Sequence, residues 1–147
     1  MNIPDLLHPN DVHLILKLAN KMDVLQFLSE RVSEKCGLRA GECRQALASR
    51  ERLGATTIGS GVAFPHAQLD GLDAPLAILL RLSQPVDFAL PGEEPVDVIV
   101  MLVNPTGATR EHLEGLSAFA RALRSPDTLR SVRSAESPAH VVASLTR

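Results

Sequence analysis

Val96-Asp97-Val98-Ile99-Val100-Met101-Leu102-Val103 is almost continuously apolar, and so is the earlier segment Leu76-Ala77-Ile78-Leu79-Leu80-Arg81-Leu82. A strand with one face in water alternates apolar and polar side chains. These two do not, so each is expected to be covered on both faces. Working outward, Asn104-Pro105-Thr106-Gly107 breaks the later strand. Thr109 then opens a helix with Leu113, Leu116, Ala120 and Leu123 predicted on its inward face, and Ser125-Pro126 ends it. A short helix is expected from about Asp127 to Val132. Ser137-Pro138 supplies the N-cap and first-turn proline of a closing helix from His140 to Leu145.

Between the two apolar strands lies a linker, Gln84–Pro95, with Pro85, Pro91, Gly92, Glu93 and Glu94; Val86-Asp87-Phe88 within it is a candidate edge strand. Towards the N-terminus, Val12–Leu18 reads as a first strand. Asn20 is placed to cap a helix carrying Leu25, Leu28, Val32 and Cys36 at three- and four-residue spacing, and Gly37 stops it. A second helix is predicted from Ala40 to Arg50, with Cys43, Ala46 and Leu47 inward and Gly54 closing the segment. Thr56–Ile58 and Val62–Phe64 are short strand pieces around a glycine turn. Helices at both ends with a buried sheet between them predict an α/β sandwich, a single domain over residues 1–147.

Of the 147 residues, 45% are hydrophobic and only 3% aromatic, with no Trp or Tyr, so the core is built from Leu, Val, Ile and Ala. Bases would find no aromatic platform, and the 15 Lys and Arg are scattered through a chain of net charge −2, which argues against a nucleic-acid partner. The apolar runs Pro75–Leu80 and Val98–Val103 are far too short to span a bilayer, so no membrane insertion is expected. Met1-Asn2-Ile3-Pro4-Asp5 carries no basic leader, and a cytoplasmic protein is expected. Cys36 and Cys43 match neither a CxxC nor a zinc spacing and read as small apolar helix residues.

The segment rich in chemistry is Gly59-Ser60-Gly61-Val62-Ala63-Phe64-Pro65-His66-Ala67-Gln68. Glycine permits backbone angles that side chains forbid, and proline fixes its own φ while extending the residue before it. His66 is therefore held stiffly at a strand end near solvent, as a nucleophile would be. Taken alone, such a bend favours a surface histidine without chemistry, since turn residues cluster for structural reasons too. Phe64 stands where the third glycine of GxGxxG would be, and no GxxxxGK[ST] occurs, so a phosphate would have to be handled by side chains.

His112 falls in the first turn of the Thr109 helix, where unpaired backbone N–H groups and the helix dipole attract anions. By itself it reads as a solvated helix residue. His8, His13 and His140 have weaker contexts. Arg50-Glu51-Arg52 is a charged helix end whose guanidinium groups offer planar forks to phosphate. A His66/His112 metal pair would lack a third ligand, and no HExxH or GxSxG occurs.

Ser49-Arg50-Glu51-Arg52-Leu53-Gly54 followed by Ile58-Gly59-Ser60-Gly61-Val62-Ala63-Phe64-Pro65-His66 resembles the EIIA component of the sugar phosphotransferase system, of the fructose/mannitol and nitrogen-regulatory type. Gln84-Pro85-Val86-Asp87-Phe88, Pro95-Val96-Asp97-Val98 and Glu111-His112-Leu113 with Leu116-Ser117 agree in order, so the resemblance spans nearly the whole chain. It implies a mixed β-sheet flanked by helices. It also implies His66 as the phosphoryl acceptor, His112 as a hydrogen-bond donor to the phosphoryl group, and Arg50 as a phosphate or docking contact. The implied donor is an HPr-like phosphocarrier, with no cofactor, meeting a shallow apolar surface around His66. The Arg50–Gly59 block resembles the nitrogen-regulatory branch, whose members bind regulatory targets. The alternatives are a sugar-transport EIIA handing phosphate to EIIB, and a binding module that no longer transfers phosphate. Where the family continues with Gly and then Lys or Arg after the histidine, this chain has Ala67-Gln68. That change is expected to alter the bend and remove a local cation.

Overall fold

The computed structural model describes residues 2–89 and 92–146. Its elements in order are α1 (Ile3–Leu6), a 3₁₀ turn (Pro9–Asp11), β1 (Val12–Leu16), α2 (Lys21–Cys36), α3 (Ala40–Arg52), β2 (Thr57–Gly59), β3 (Val62–Ala63), β4 (His66–Leu69), β5 (Leu76–Val86), β6 (Val96–Pro105), α4 (Thr109–Arg124), α5 (Pro126–Ser134) and α6 (Pro138–Leu145). One mixed sheet carries the strands in the order β1-β5-β6-β3-β2, with β4 also on β6.

The two apolar segments form the centre of that sheet. β5 and β6 run antiparallel, in register from Leu76↔Val103 to Arg81↔Val98. Their side chains divide between two layers. Ile78, Leu80, Ile99, Met101 and Val103 face Leu25, Leu28 and Val32 of α2 and Leu47 of α3. Leu79, Val98, Val100 and Leu102 face α1, α4, α5 and α6 through residues such as Leu6, Phe119, Leu123 and Val141. Every residue from Val98 to Val103 is at most 1% exposed, as the lack of alternation requires. At about 1.5–3 kcal/mol for each fully buried large aliphatic side chain, this pair outweighs any local preference in the chain.

The helix signals act as predicted at several ends. Asn20 Oδ1 accepts from the Asp23 N–H at 2.9 Å, and Gly37 closes α2 with φ of 75°. Ser125 ends α4 and caps α5, while Ser137 caps α6. α3 runs to Arg52, slightly beyond the predicted Arg50.

Two expectations are corrected. Val86-Asp87-Phe88 is not a separate edge strand: β5 continues through an irregularity after Arg81, and Val86 pairs with Val96. Phe88 instead plugs the α2/α3 core at 2% exposure, and Pro91 of the linker lies outside the described residues. The inward face of α4 is His112, Gly115, Phe119 and Leu123, while Leu113 is 58% exposed and Leu116 and Ala120 are half-buried. Gly115 explains the rotation, because a Cβ there would meet Leu102 Cδ2 at 2.8 Å and Leu6 Cδ1 at 3.2 Å. The helix therefore packs closely through a glycine and turns the bulky Phe119 inward. His66 stands at a strand end as expected, opening β4 (His66–Leu69), which runs parallel to β6 from His66↔Leu102 to Leu69↔Pro105.

Gly59, Ser60 and Gly61 carry φ values of 89°, 57° and 78°, three left-handed residues in succession. Arg133 of α5 secures this turn: its Nη2 donates to the Ser60 carbonyl and, at 2.8 Å, to Asp97 Oδ1. A Cβ on Gly61 would lie 2.7 Å from Arg133 Nη2 and 3.0 Å from Asp97 Oδ1. Gly61→Ala is thus expected to lose about 1–3 kcal/mol, from the positive φ and from displacing this clamp. Urea denaturation measures it, and an unchanged midpoint would contradict the account.

Candidate functional site

His66 owes its position to the two residues before it. β3 leaves the edge of β6 after Ala63, and β4 rejoins the same edge at His66. In the gap, the Phe64 N–H donates to the Thr56 carbonyl at 3.0 Å, and Pro65, which has no N–H, accepts from the Leu102 N–H at 3.1 Å. Phe64 anchors its ring in the α4-side core and leaves its carbonyl 2.8 Å from His66 Nδ1. A carbonyl only accepts, so Nδ1 carries the proton and Nε2 of the neutral ring holds a free lone pair.

That lone pair accepts from Arg50 Nε–H at 3.1 Å, while Arg50 Nη1 donates to the Gly54 carbonyl at 2.9 Å. Burial pushes the His66 imidazole below its ordinary pKa; the Phe64 hydrogen bond opposes this, and the Arg50 charge reinforces it. Ala67 and Leu69 of β4 face the α2/α3 core, so the alternation of the strand turns His66 and Gln68 towards α4. There the His112 ring centroid lies 5.3 Å from that of His66, the planes inclined at 52°. His112 is buried, and its Nδ1 lies 2.7 Å from the side-chain oxygen of Asn104. Burial, helped by the neighbouring His66, pushes its pKa down to about 4. The solvated helix residue expected from α4 alone is therefore a buried, neutral imidazole.

The three residues singled out in the sequence, Arg50, His66 and His112, are thus brought together from both layers, α3 on one side and α4 on the other. The remaining histidines are elsewhere: His8 caps the 3₁₀ turn, His13 packs edge-on against Phe27, and His140 is exposed on α6. Cys43 is buried and Cys36 half-buried, and burial raises both thiols above their ordinary range. Among the described residues, no three His, Cys, Asp or Glu side chains are grouped to hold a metal.

Ala67-Gln68 does not disturb the bend. The left-handed residues all precede Val62 in the turn, and Ala67 is an ordinary strand residue opposite Val103. Gln68 Oε1 accepts from the Gly107 N–H at 3.0 Å and its Nε2 donates to Thr109 Oγ1 at 3.2 Å, which fastens β4 to the entry of α4. The N-cap of α4 is Ala108, which offers no side-chain acceptor to the first-turn N–H groups beside His112. Buried Glu51 had no sequence signal beyond its charge. It accepts from the Thr56 hydroxyl and backbone N–H and pairs with Lys21 Nζ at 2.8 Å, tying the end of α3 to the segment before the glycine turn. Such a network is a long-range property; only the burial of a charged residue between apolar helix positions could have hinted at it.

A neutral imidazole with a bare nitrogen, a guanidinium beside it and a second imidazole within reach form a nucleophile suited to an anionic electrophile. The depressed pKa values carry a linkage consequence. Below pH 6.5 the unfolded chain protonates at position 112 before the folded one does, so this contribution to stability is present above pH 6.5 and lost as pH falls towards about 4. The loss attributable to His112 is about 3 kcal/mol at most. Urea titrations across that range should show a smaller acid loss for His112→Gln than for the parent protein, and equal losses would contradict the burial argument.

The family model described as "Phosphoenolpyruvate-dependent sugar phosphotransferase system, EIIA 2" matches residues 5–147. The chain is 36% identical over 133 residues to a nitrogen regulatory protein of Bradyrhizobium diazoefficiens, covering 90% of this chain and 87% of that one. It is 32% identical over 92 residues to a fructose-specific EIIA component of Haloferax volcanii, covering 63% and 60%. Among solved structures, nitrogen regulatory protein IIA-Ntr from Neisseria meningitidis superposes with a TM-score of 0.92 at 30% identity, over 98% of this chain and 99% of that one.

Proposed function

This chain belongs to the EIIA 2 family of the phosphoenolpyruvate-dependent sugar phosphotransferase system, and we propose that it takes a phosphoryl group onto His66 Nε2 from a phosphohistidine of a small HPr-like carrier. The observation that carries this reading is the Phe64 carbonyl on His66 Nδ1, which leaves Nε2 as the nucleophilic atom, beside Arg50 and on a ring whose centroid is 5.3 Å from that of His112.

The Nε2 lone pair forms the new N–P bond while the donor's N–P bond breaks, its electron pair returning to the donor imidazole. The His66 ring gains positive charge as the bond forms, and the Nδ1 proton shares that charge with the fixed Phe64 carbonyl. Arg50 gives up its hydrogen bond to Nε2 and turns its N–H groups to the phosphoryl oxygens, where charge-assisted bonds are strongest. His112 supplies a further donor. The bond made resembles the bond broken, so positioning and electrostatic stabilisation suffice and no cofactor is required.

Within the family the protein acts in the regulatory branch, in the cytoplasm, binding regulatory protein targets according to its phosphorylation state. Support comes from the nitrogen regulatory relatives, which match most of both chains. Among the described residues no helix is long and apolar enough to cross a membrane. A sugar-transport EIIA passing phosphate to EIIB is the second reading, favoured by the fructose-specific relative. A binding module without transfer is the third reading; it rests on the cation missing at Gln68, while Ala67, an ordinary strand residue opposite Val103, needs no glycine.

The test is incubation with phosphoenolpyruvate, the first relay enzyme and the HPr-like carrier, followed by mass spectrometry. The parent protein should gain one phosphate on His66, and His66→Ala should gain none while remaining folded. His112→Ala should keep the acceptor but react roughly 10²–10³-fold more slowly, the usual effect of losing one stabilising donor. A labelled His66→Ala protein would overturn the proposal.

A further inference from the structure

We infer that Asn104 is a positioning residue that sets the tautomer of His112, its side-chain amide donating to Nδ1 so that the neutral ring presents Nε2–H to a phosphoryl group on His66. This rests on the phosphoryl-acceptor reading above and adds a residue that no motif marks.

Asn104 lies near the end of β6, opposite Gln68 of β4, and is only 1% exposed. Its side-chain oxygen is placed 2.7 Å from His112 Nδ1, and its Nδ2 is buried without a partner. The alternative orientation exchanges the two atoms by a half-turn about Cβ–Cγ, and the hydrogen-bond network decides between them. With oxygen towards the ring, Nδ1 must carry the proton. His112 Nε2 is then a bare acceptor with nothing to offer an anion, and the two N–H groups of Nδ2 stay buried and unmet.

With nitrogen towards the ring, Nδ2–H donates to Nδ1 and the proton of His112 sits on Nε2. One N–H of Nδ2 and the carbonyl oxygen are then unmet in place of two N–H groups, and a buried site tolerates an orphan carbonyl better than an orphan N–H. Protonating the whole ring would also place a hydrogen on Nε2, but burial and the neighbouring His66 oppose that charge. The turned amide is the arrangement that gives a neutral His112 a donor for the incoming group, and a side chain fixed in β6 holds it there.

The test is long-range ¹⁵N–¹H NMR of the histidine rings in the unphosphorylated protein at neutral pH. It stands apart from whether the carrier labels His66. His112 should appear with Nε2 protonated and Nδ1 bare, and in Asn104→Asp, whose carboxylate only accepts, Nδ1 should become protonated. A parent protein with protonated Nδ1, or an Nδ1 that stays bare in Asn104→Asp, would overturn the inference. In the relay assay Asn104→Leu should take up phosphate about 10-fold more slowly, the lower end of the effect known for losing the hydrogen bond behind a metal-ligating histidine. An unchanged rate would overturn the functional part of the inference, whereas a parent protein that takes up no phosphate would instead undo the phosphoryl-acceptor reading while leaving the tautomer measurable.

Discussion

The free edge of β6 is shared by two short strands, and the site follows from how that edge is divided. β3 pairs with Val98 and Ile99, β4 with Leu102 to Pro105, and Phe64-Pro65 bridges the gap between them. Pro65 has no N–H for a ladder, yet its carbonyl takes the Leu102 N–H, so the chain steps off the sheet without losing its place. The step brings a main-chain carbonyl against the imidazole of the first residue of β4. Because β4 alternates, that imidazole faces α4 while its strand neighbours anchor the opposite core. Arg50 reaches it from the end of α3, so the candidate site sits at the seam between the two helical layers.

Charge explains why the seam holds two imidazoles. Two protonated rings 5.3 Å apart would repel by about 3 kcal/mol at an effective dielectric of 20, with a guanidinium adding to the cost. Burial keeps both rings neutral, and Arg50 satisfies the bare nitrogen of His66 in the resting protein. In the proposed reaction an arriving phosphoryl group reverses the balance. Its negative charge makes Arg50 more useful on the phosphoryl oxygens than on Nε2, and an N–H on His112 is worth more in this buried setting than in water. The same desolvation that costs stability at low pH is what the proposed chemistry uses.

Much of the architecture was legible in the sequence because it rests on composition and end signals. The unbroken apolar character of Leu76–Leu82 and Val96–Val103 required two covering layers, and Asn20, Gly37 and Ser137 bound their helices where expected. Gly-rich bend, proline and histidine pointed to His66, and the family resemblance added Arg50 and His112. The rotation of α4 was not legible, since a glycine and a histidine occupy its core face and an exposed leucine imitates it. β4 is too short and too polar to announce itself as a strand; pairing with β6 creates it. Glu51, Gln68 and Asn104 act through partners distant in the chain, which spacing along the sequence does not reveal.

The central claim is that the Phe64 carbonyl chooses the nucleophilic nitrogen of His66, and the regiochemistry of the phosphorylated protein tests it most directly. ¹⁵N NMR of the ring distinguishes the two phosphohistidine isomers. Phosphorus bound to His66 Nε2, with Nδ1 still protonated, is the predicted result. Phosphorus on Nδ1 would contradict the account, because the hydrogen bond to Phe64 could not then be what orients the acceptor.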